Sequence, residues 1–130
     1  MKRAEHPTAT FEFNNSILLV TVREDVELTA DDVRVHHEIG QTLTGGVPHC
    51  ALFRGSANSS ATKDAMKYSA YNIPPGRKAE AILVTSLAIR LIGNFFVRFY
   101  KPNIPIKLFD NEADALNWLQ VQLEAHTIDK

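Results

Sequence analysis

The residues best suited to chemistry in this 130-residue chain stand singly, and their spacing assembles no reacting set. His36 and His37 are adjacent. Adjacent side chains on a helix point about 100° apart, so this pair cannot share a metal ion as an i, i+4 pair does. His36 falls near the centre of a face formed with Val33, Gly40 and Leu43, the place of a hydrogen-bonded core or sub-surface histidine. Gly40 on the same face lets the helix approach a sheet closely. Cys50 is the single cysteine, which excludes an internal disulfide. It lies in the apolar run His49-Cys50-Ala51-Leu52-Phe53, as a buried structural thiol does. Asp31-Asp32 fit a helix start better than a catalytic pair. Gly45-Gly46 follows a helix and Pro75-Gly76 precedes a strand, so neither forms a phosphate-cradling loop. No nucleophile elbow is present, and the end of the third strand, where a phospho-accepting aspartate would stand, is Arg54. No catalytic residue, metal site or cofactor follows from these residues.

The elements that would position such groups are clearer. Residues 1–9 are polar and are expected to form a flexible N-terminus, with 10–126 making one domain. Phe11-Glu12-Phe13, the Asn14-Asn15 turn and the aliphatic run Ser16 to Val22 predict a β-hairpin. Thr29 and Asp32 form a capping box for the first helix, which Gly45-Gly46 ends. A strand over Cys50 to Phe53 follows, then a Ser/Asn-rich loop, then a second helix from about Ala61 to Tyr71 with Ser59 or Ser60 as its N-cap. Pro74-Pro75-Gly76 breaks the chain. Ala81 to Val84 is a continuous apolar run, the pattern of a strand covered on both faces. A third helix is predicted from Ser86 to Tyr100, stopped by Pro102, then a strand from Ile104 to Phe109. The last helix, capped by Asp110 or Asn111, is expected to turn Ala115, Leu116, Leu119 and Leu123 inward. The order β-β-α-β-α-β-α-β-α predicts an α/β domain. Its expected core is a mostly parallel five-stranded sheet with one antiparallel strand and helices on both faces.

Composition narrows the class. Hydrophobic residues are 45% and charged residues 22%, with a formal net charge of -1. That balance points to no nucleic-acid partner and no acidic membrane surface. No run approaches the ~18 apolar residues of a spanning helix, so no integral membrane segment is expected. Met1-Lys2-Arg3 is followed by Glu5, His6 and Pro7 rather than an apolar stretch, so no secretory leader is expected and a reducing cytoplasm is the expected location.

Ala81-Ile82-Leu83-Val84, Asn94-Phe95-Phe96, Lys101-Pro102, Pro105, Leu108-Phe109 and Ala115-Leu116-x-Trp118-Leu119 together form a spaced set. With the element order, it makes the chain resemble the SpoIIAA-like fold, the STAS domain of anti-sigma-factor antagonists. The resemblance is closer still to small bacterial STAS/SEC14-domain proteins of unknown function. In the antagonists a serine opening the second helix, within Asp-Ser-Ser-Gly, is phosphorylated by a partner kinase. The matching stretch here is Asn58-Ser59-Ser60-Ala61. The resemblance thus implies Ser59 and Ser60 as phospho-acceptors, although Asn58 replaces the acid and Ala61 the glycine.

The third helix carries the strongest surface signal. Leu91, Phe95, Ala88, Phe99 and Ile92 form one face, which Phe96, Ile89 and Tyr100 extend to an apolar arc of roughly 200°, about double that of a one-sided helix. Arg90, Asn94, Arg98 and Lys101 fill the remainder. The surplus could be covered by the last helix with its Trp118, by a protein partner or a second copy in a homodimer, or by a small apolar acid held with the basic residues. Ile89, Phe96 and Tyr100 are expected to stay partly accessible in the monomer, with Arg90 and Asn94 beside them. A non-enzymatic regulatory or protein-interaction module is the expected function. Its rivals are a carrier or sensor of a lipid-like acid and a serine phospho-switch.

Overall fold

The computed structural model describes residues 2–128. In chain order its elements are β1 (Lys2–His6), β2 (Ala9–Asn14), β3 (Ile17–Val22), β4 (Glu27–Leu28), α1 (Ala30–Thr44), β5 (His49–Arg54), β6 (Ser60–Ala61), α2 (Lys63–Tyr71), β7 (Arg77–Leu83), α3 (Leu87–Tyr100), β8 (Ile106–Phe109) and α4 (Glu112–Ile128). Six strands form one sheet in the order β1-β2-β3-β5-β7-β8, and β4 and β6 pair in a short ladder of their own. β1-β2 and β2-β3 are antiparallel, while β3-β5, β5-β7 and β7-β8 are parallel.

This is the expected α/β architecture with one strand more in the main sheet and, beside it, the unexpected β4-β6 ladder. The N-terminal residues, expected to be flexible, instead form β1 along the edge of the hairpin. Lys2, Arg3 and Glu5 hid it from a hydrophobic-pattern reading, because charged residues suit an edge strand that must not pair with another chain. Only Ala4 and His6 of this strand are half-buried. β7 is an inner strand, flanked by β5 and β8, and Ala81, which opens the apolar run, is fully buried.

The two faces of the sheet are served unequally. On one, α4 packs Ala115 and Leu119 onto Cys50, Leu52, Ala79 and Ala81. Leu116, expected inward, is 38% exposed, because one turn of α4 cannot bring both Ala115 and Leu116 to the same flat surface. On the other face, α1 covers the hairpin, where Leu43 meets Phe11, Leu18, Val20 and Ala51. Here Gly40 brings the helix in close: a Cβ on it would stand 3.1 Å from Leu18 Cδ2. α3 packs at the opposite margin, over β8, and α2 spans between α1 and α3 rather than resting on the strands.

Local signals end the helices as physical chemistry dictates. Thr29 and Asp32 form the reciprocal capping box of α1, and Gly45 closes it in the left-handed conformation at φ 65°. Asn111 caps α4, accepting the Asp114 N–H at 3.1 Å. The start of α2 differs from expectation. Its N-cap is Thr62, whose hydroxyl accepts the Ala65 N–H at 3.1 Å, while Ser60 and Ala61 are drawn into the ladder with β4. Backbone pairing of Ser60 with the Val26 carbonyl at 2.9 Å competes with a serine cap and displaces the helix start by two residues. Thr62→Ala is therefore expected to cost about 1 kcal/mol in urea denaturation, and Ser60→Ala less than about 0.5 kcal/mol. Equal losses would place the cap back at Ser60.

Candidate functional site

Because α2 spans between its neighbouring helices, the middle of the sheet lies under a gap. A cavity of about 190 Å3 occupies it. Val20, Phe53, Glu80 and Ile82 of the sheet line its floor. Val33, His36 and His37 come from α1, Ala65, Met66 and Ser69 from α2, and Ile89, Ile92, Gly93 and Phe96 from α3. The loop containing Gly55, Ser59 and Ser60 borders one end.

The sheet beneath holds a buried charged cluster that hydropathy could not reveal. His49 pairs with Arg77 in register, but Ala51 pairs with Glu80, so β7 contains one residue more than β5 over this stretch. In a regular strand, residues three apart point to opposite faces. The extra residue returns Arg77 and Glu80 to the same face. Arg77 Nη1 donates to Glu80 Oε2 at 2.9 Å, and their side chains are only 3% and 5% exposed. Arg77 Nε points at His49 Nε2, 3.4 Å away. Its guanidinium also lies 5.7 Å from the centroid of the Phe53 ring. His49 Nδ1 sits 2.8 Å from the Val47 carbonyl, so Nδ1 carries the proton and Nε2 is left as an acceptor for Arg77. Burial lowers the His49 pKa, the Val47 bond opposes that, and Arg77 and Lys78 reinforce it.

The helix histidines are also neutral near pH 7. Burial, helped by nearby His6, takes His36 down to about 4 against the pull of Asp32. Burial, then Arg77 and His36, takes His37 down to about 4. His36 Nε2 lies 2.6 Å from the Thr8 hydroxyl, which also meets His6 Nδ1 at 2.8 Å. This is the hydrogen-bonded sub-surface histidine that its place among Val33, Gly40 and Leu43 implied. Cys50 is fully buried, and burial raises its thiol to about 11, so no nucleophile is available there. Among the described residues, no three His, Cys, Asp or Glu side chains gather as a metal site.

The serine pair takes a different form from a helix-capping switch. Ser59 is buried at 6% exposure; its hydroxyl donates to the Ser56 carbonyl at 2.8 Å and accepts the Ser56 N–H at 2.9 Å. Asn58 adopts φ 58° and donates to Asp25 Oδ1 at 3.0 Å, tying this loop to the one before β4. Neither serine stands at the positive end of α2, because Thr62 occupies that place.

On α3 the expected faces are reversed. Phe96 and Tyr100, expected to stay partly accessible, are 7% and 9% exposed; Ile89 does stay partly accessible, half-buried against the cavity. Arg90 pairs with Asp110 and Asn94 is exposed. The solvent side consists of Leu87, Leu91, Phe95 and Phe99, at 71%, 60%, 41% and 65% exposure. Gly93 sets this rotation: a Cβ there would stand 2.8 Å from Leu108 Cδ2, so the bare side of the helix lies against β8. At 100° per residue, Leu91 and Phe95 fall about 160° around the helix from Gly93. Trp118 does not cover the surplus, because it packs on Phe109 on the opposite face of the sheet, with ring centroids 5.6 Å apart.

The strand order, the parallel core and the division of helices define an α/β domain of SpoIIAA-like fold. A solved structure supports this: an uncharacterised protein of the DUF3478 family from Shewanella loihica PV-4, itself described as having a SpoIIAA-like fold. It aligns with a TM-score of 0.58 and 17% identity over 85% of this chain and 91% of that one. The family model of DUF7793, a domain of unknown function, matches residues 11–122, and the chain belongs to that family. A search of curated proteins finds no match. No helix among the described residues is long and apolar enough to cross a membrane.

Two outcomes follow from the buried groups. The folded chain resists the protons that His36 and His37 take up readily when unfolded. Their contribution is therefore complete above pH 6.5 and is lost as the pH falls from 6.5 towards 4. Between pH 7 and pH 5 the loss should reach at most about 2 kcal/mol for His36, and less for the half-buried His37. Urea titrations should show this slope and show it shallower in His36→Gln. An unchanged slope would mean that His36 titrates alike in both states. Glu80→Leu should cost about 3–5 kcal/mol by leaving Arg77 buried without a counter-charge, whereas Arg77→Met with Glu80→Leu should recover most of that loss. A double variant as unstable as the single one would show that the ion pair itself is not the cause.

Proposed function

We propose that this chain is a non-enzymatic interaction module that binds a protein partner, or a second copy of itself, through the outer ridge of α3. The single observation behind this reading is the spacing of Leu87, Leu91, Phe95 and Phe99, four large apolar side chains at i, i+4 intervals on the solvent side. Phe95 and Phe99 stack with centroids 4.9 Å apart, so the ridge presents a continuous aromatic surface rather than isolated tips. At ~200 Å2 for a fully exposed large side chain, the ridge leaves about 470 Å2 of apolar surface in water, within the ~300–600 Å2 of a typical monomer's largest patch, which is often a functional surface. Tyr71, 62% exposed and edge-on to Tyr100, adjoins this region.

Magnitude separates the two kinds of partner. Two such ridges face to face would bury about 900 Å2, just below the ~1,000 Å2 of a stable interface. Self-association would therefore be weak, and a larger protein surface would bind more tightly. Catalysis draws little support: the Ser59 hydroxyl is spent on its own loop, Cys50 is a neutral buried thiol, and His36 is bonded to Thr8. A serine phospho-switch would require the Ser56–Ser59 loop to open before a kinase could reach Ser59.

Leu91→Ser with Phe99→Ser should leave the fold intact while abolishing concentration-dependent sedimentation and partner capture by the wild-type chain. Because both side chains are exposed, the thermal midpoint should not fall. Retained association in a folded double variant would sink the ridge as the contact surface.

A further inference from the structure

We propose that the cavity between the sheet and helices α1, α2 and α3 is a binding site for one small, uncharged molecule, aromatic or short-chained, that carries an N–H or O–H donor. This site lies on the inner side of α3 and is independent of the outer ridge.

Size sets the first limit. An apolar cavity of about 150 Å3 holds one benzene ring, and sites for drug-sized ligands begin at about 300 Å3. At about 190 Å3 the space suits one ring, two fused rings or a short chain, and it is too small for a long acyl chain. The wall sets the second limit. Val20, Val33, Met66, Ile82, Ile92 and Phe96 surround it from the sheet and all three helices. A ligand displacing nothing but weakly held water from such a surface gains most of its contact energy.

Charge sets the third limit and narrows the lipid-like acid that the basic residues of α3 suggested. The ionisable group in the floor is Glu80, an acceptor, and its cation Arg77 is not part of the lining. Arg54 does border the space, but its Nε lies 2.8 Å from Glu112 Oε1 of α4. That N–H is poorly directed at the carboxylate and is left without a hydrogen bond, yet the charge is already matched. His36 and His37 add no positive charge near pH 7. An incoming carboxylate would meet a like charge, whereas an N–H or O–H would meet an acceptor.

Indole is a suitable probe, with one apolar bicycle and one donor. Titrated into the full 15N-labelled chain, it should give saturable shifts of amides in α2 and around Gly93, with a Kd on the order of 100 µM. Ser69→Phe, which fills the space from α2, should weaken indole at least about tenfold. Octanoate should give no saturable shift at pH 7, and benzene should bind more weakly than indole. Should Ser69→Phe fail to fold, Met66→Ala supplies the other arm: its enlarged cavity must bind 2-naphthol more tightly than the wild type does. No saturable shift in the wild type would overturn the site. So would indole affinity unchanged in a folded Ser69→Phe, or 2-naphthol affinity unchanged in Met66→Ala. Octanoate or benzene binding as tightly as indole would overturn the uncharged-donor assignment.

Discussion

One extra residue in β7 governs the centre of this protein. Without it Arg77 and Glu80 would point to opposite faces, one of them into the apolar layer beneath α4. With it, cation, carboxylate and neutral histidine share one face and satisfy one another. A buried ion pair gains little net stability over apolar residues of the same volume, but losing one partner is expensive. The arrangement therefore works as a constraint: both charges lie on β7, so removing the extra residue would separate a buried ion pair, while sliding β5 along β7 would break the Arg77 contact with His49. The same constraint places a carboxylate in the floor of the cavity.

The gap above that floor has an equally simple origin. α1 is drawn down by Gly40 onto the hairpin, and α3 is drawn down by Gly93 onto β8. α2 is left bridging the two, with Ala70 meeting Phe96 and Tyr100 rather than the sheet. Two close approaches at the margins thus leave the middle unfilled. The rotation that buries Phe96 and Tyr100 is also what turns Leu91, Phe95 and Phe99 outward. Cavity and ridge are two sides of one helix, each defined by where a single glycine sits.

Fold alone carries no function, and a likeness at 17% identity speaks only to the fold. The serine loop precedes the second helix, as expected, but does not cap it. Pairing of β4 with β6 absorbs Ser60, and Thr62 starts the helix. The local hydrogen-bond economy of one two-residue ladder therefore changes what a phosphate at this point would encounter.

The sequence by itself determined the order of the four helices and of strands β2, β3, β5, β7 and β8, the parallel core and most helix ends. Those features rest on short-range physics: the Thr29–Asp32 capping box, Gly45 in the left-handed region, and an apolar run needing cover on both faces. It also determined the character of Cys50 and His36, since each lies in a locally apolar pattern. Tertiary structure alone decided the rest. An edge strand made of Lys2, Arg3 and Glu5 has no hydrophobic signature, because its stability comes from pairing with β2. The Arg77–Glu80–His49 cluster depends on a register shift between strands far apart in the chain, and charged residues read locally as surface. Which half of an all-round apolar helix turns inward is not a property of that helix. It was settled by Leu108, packed where Gly93 has no side chain.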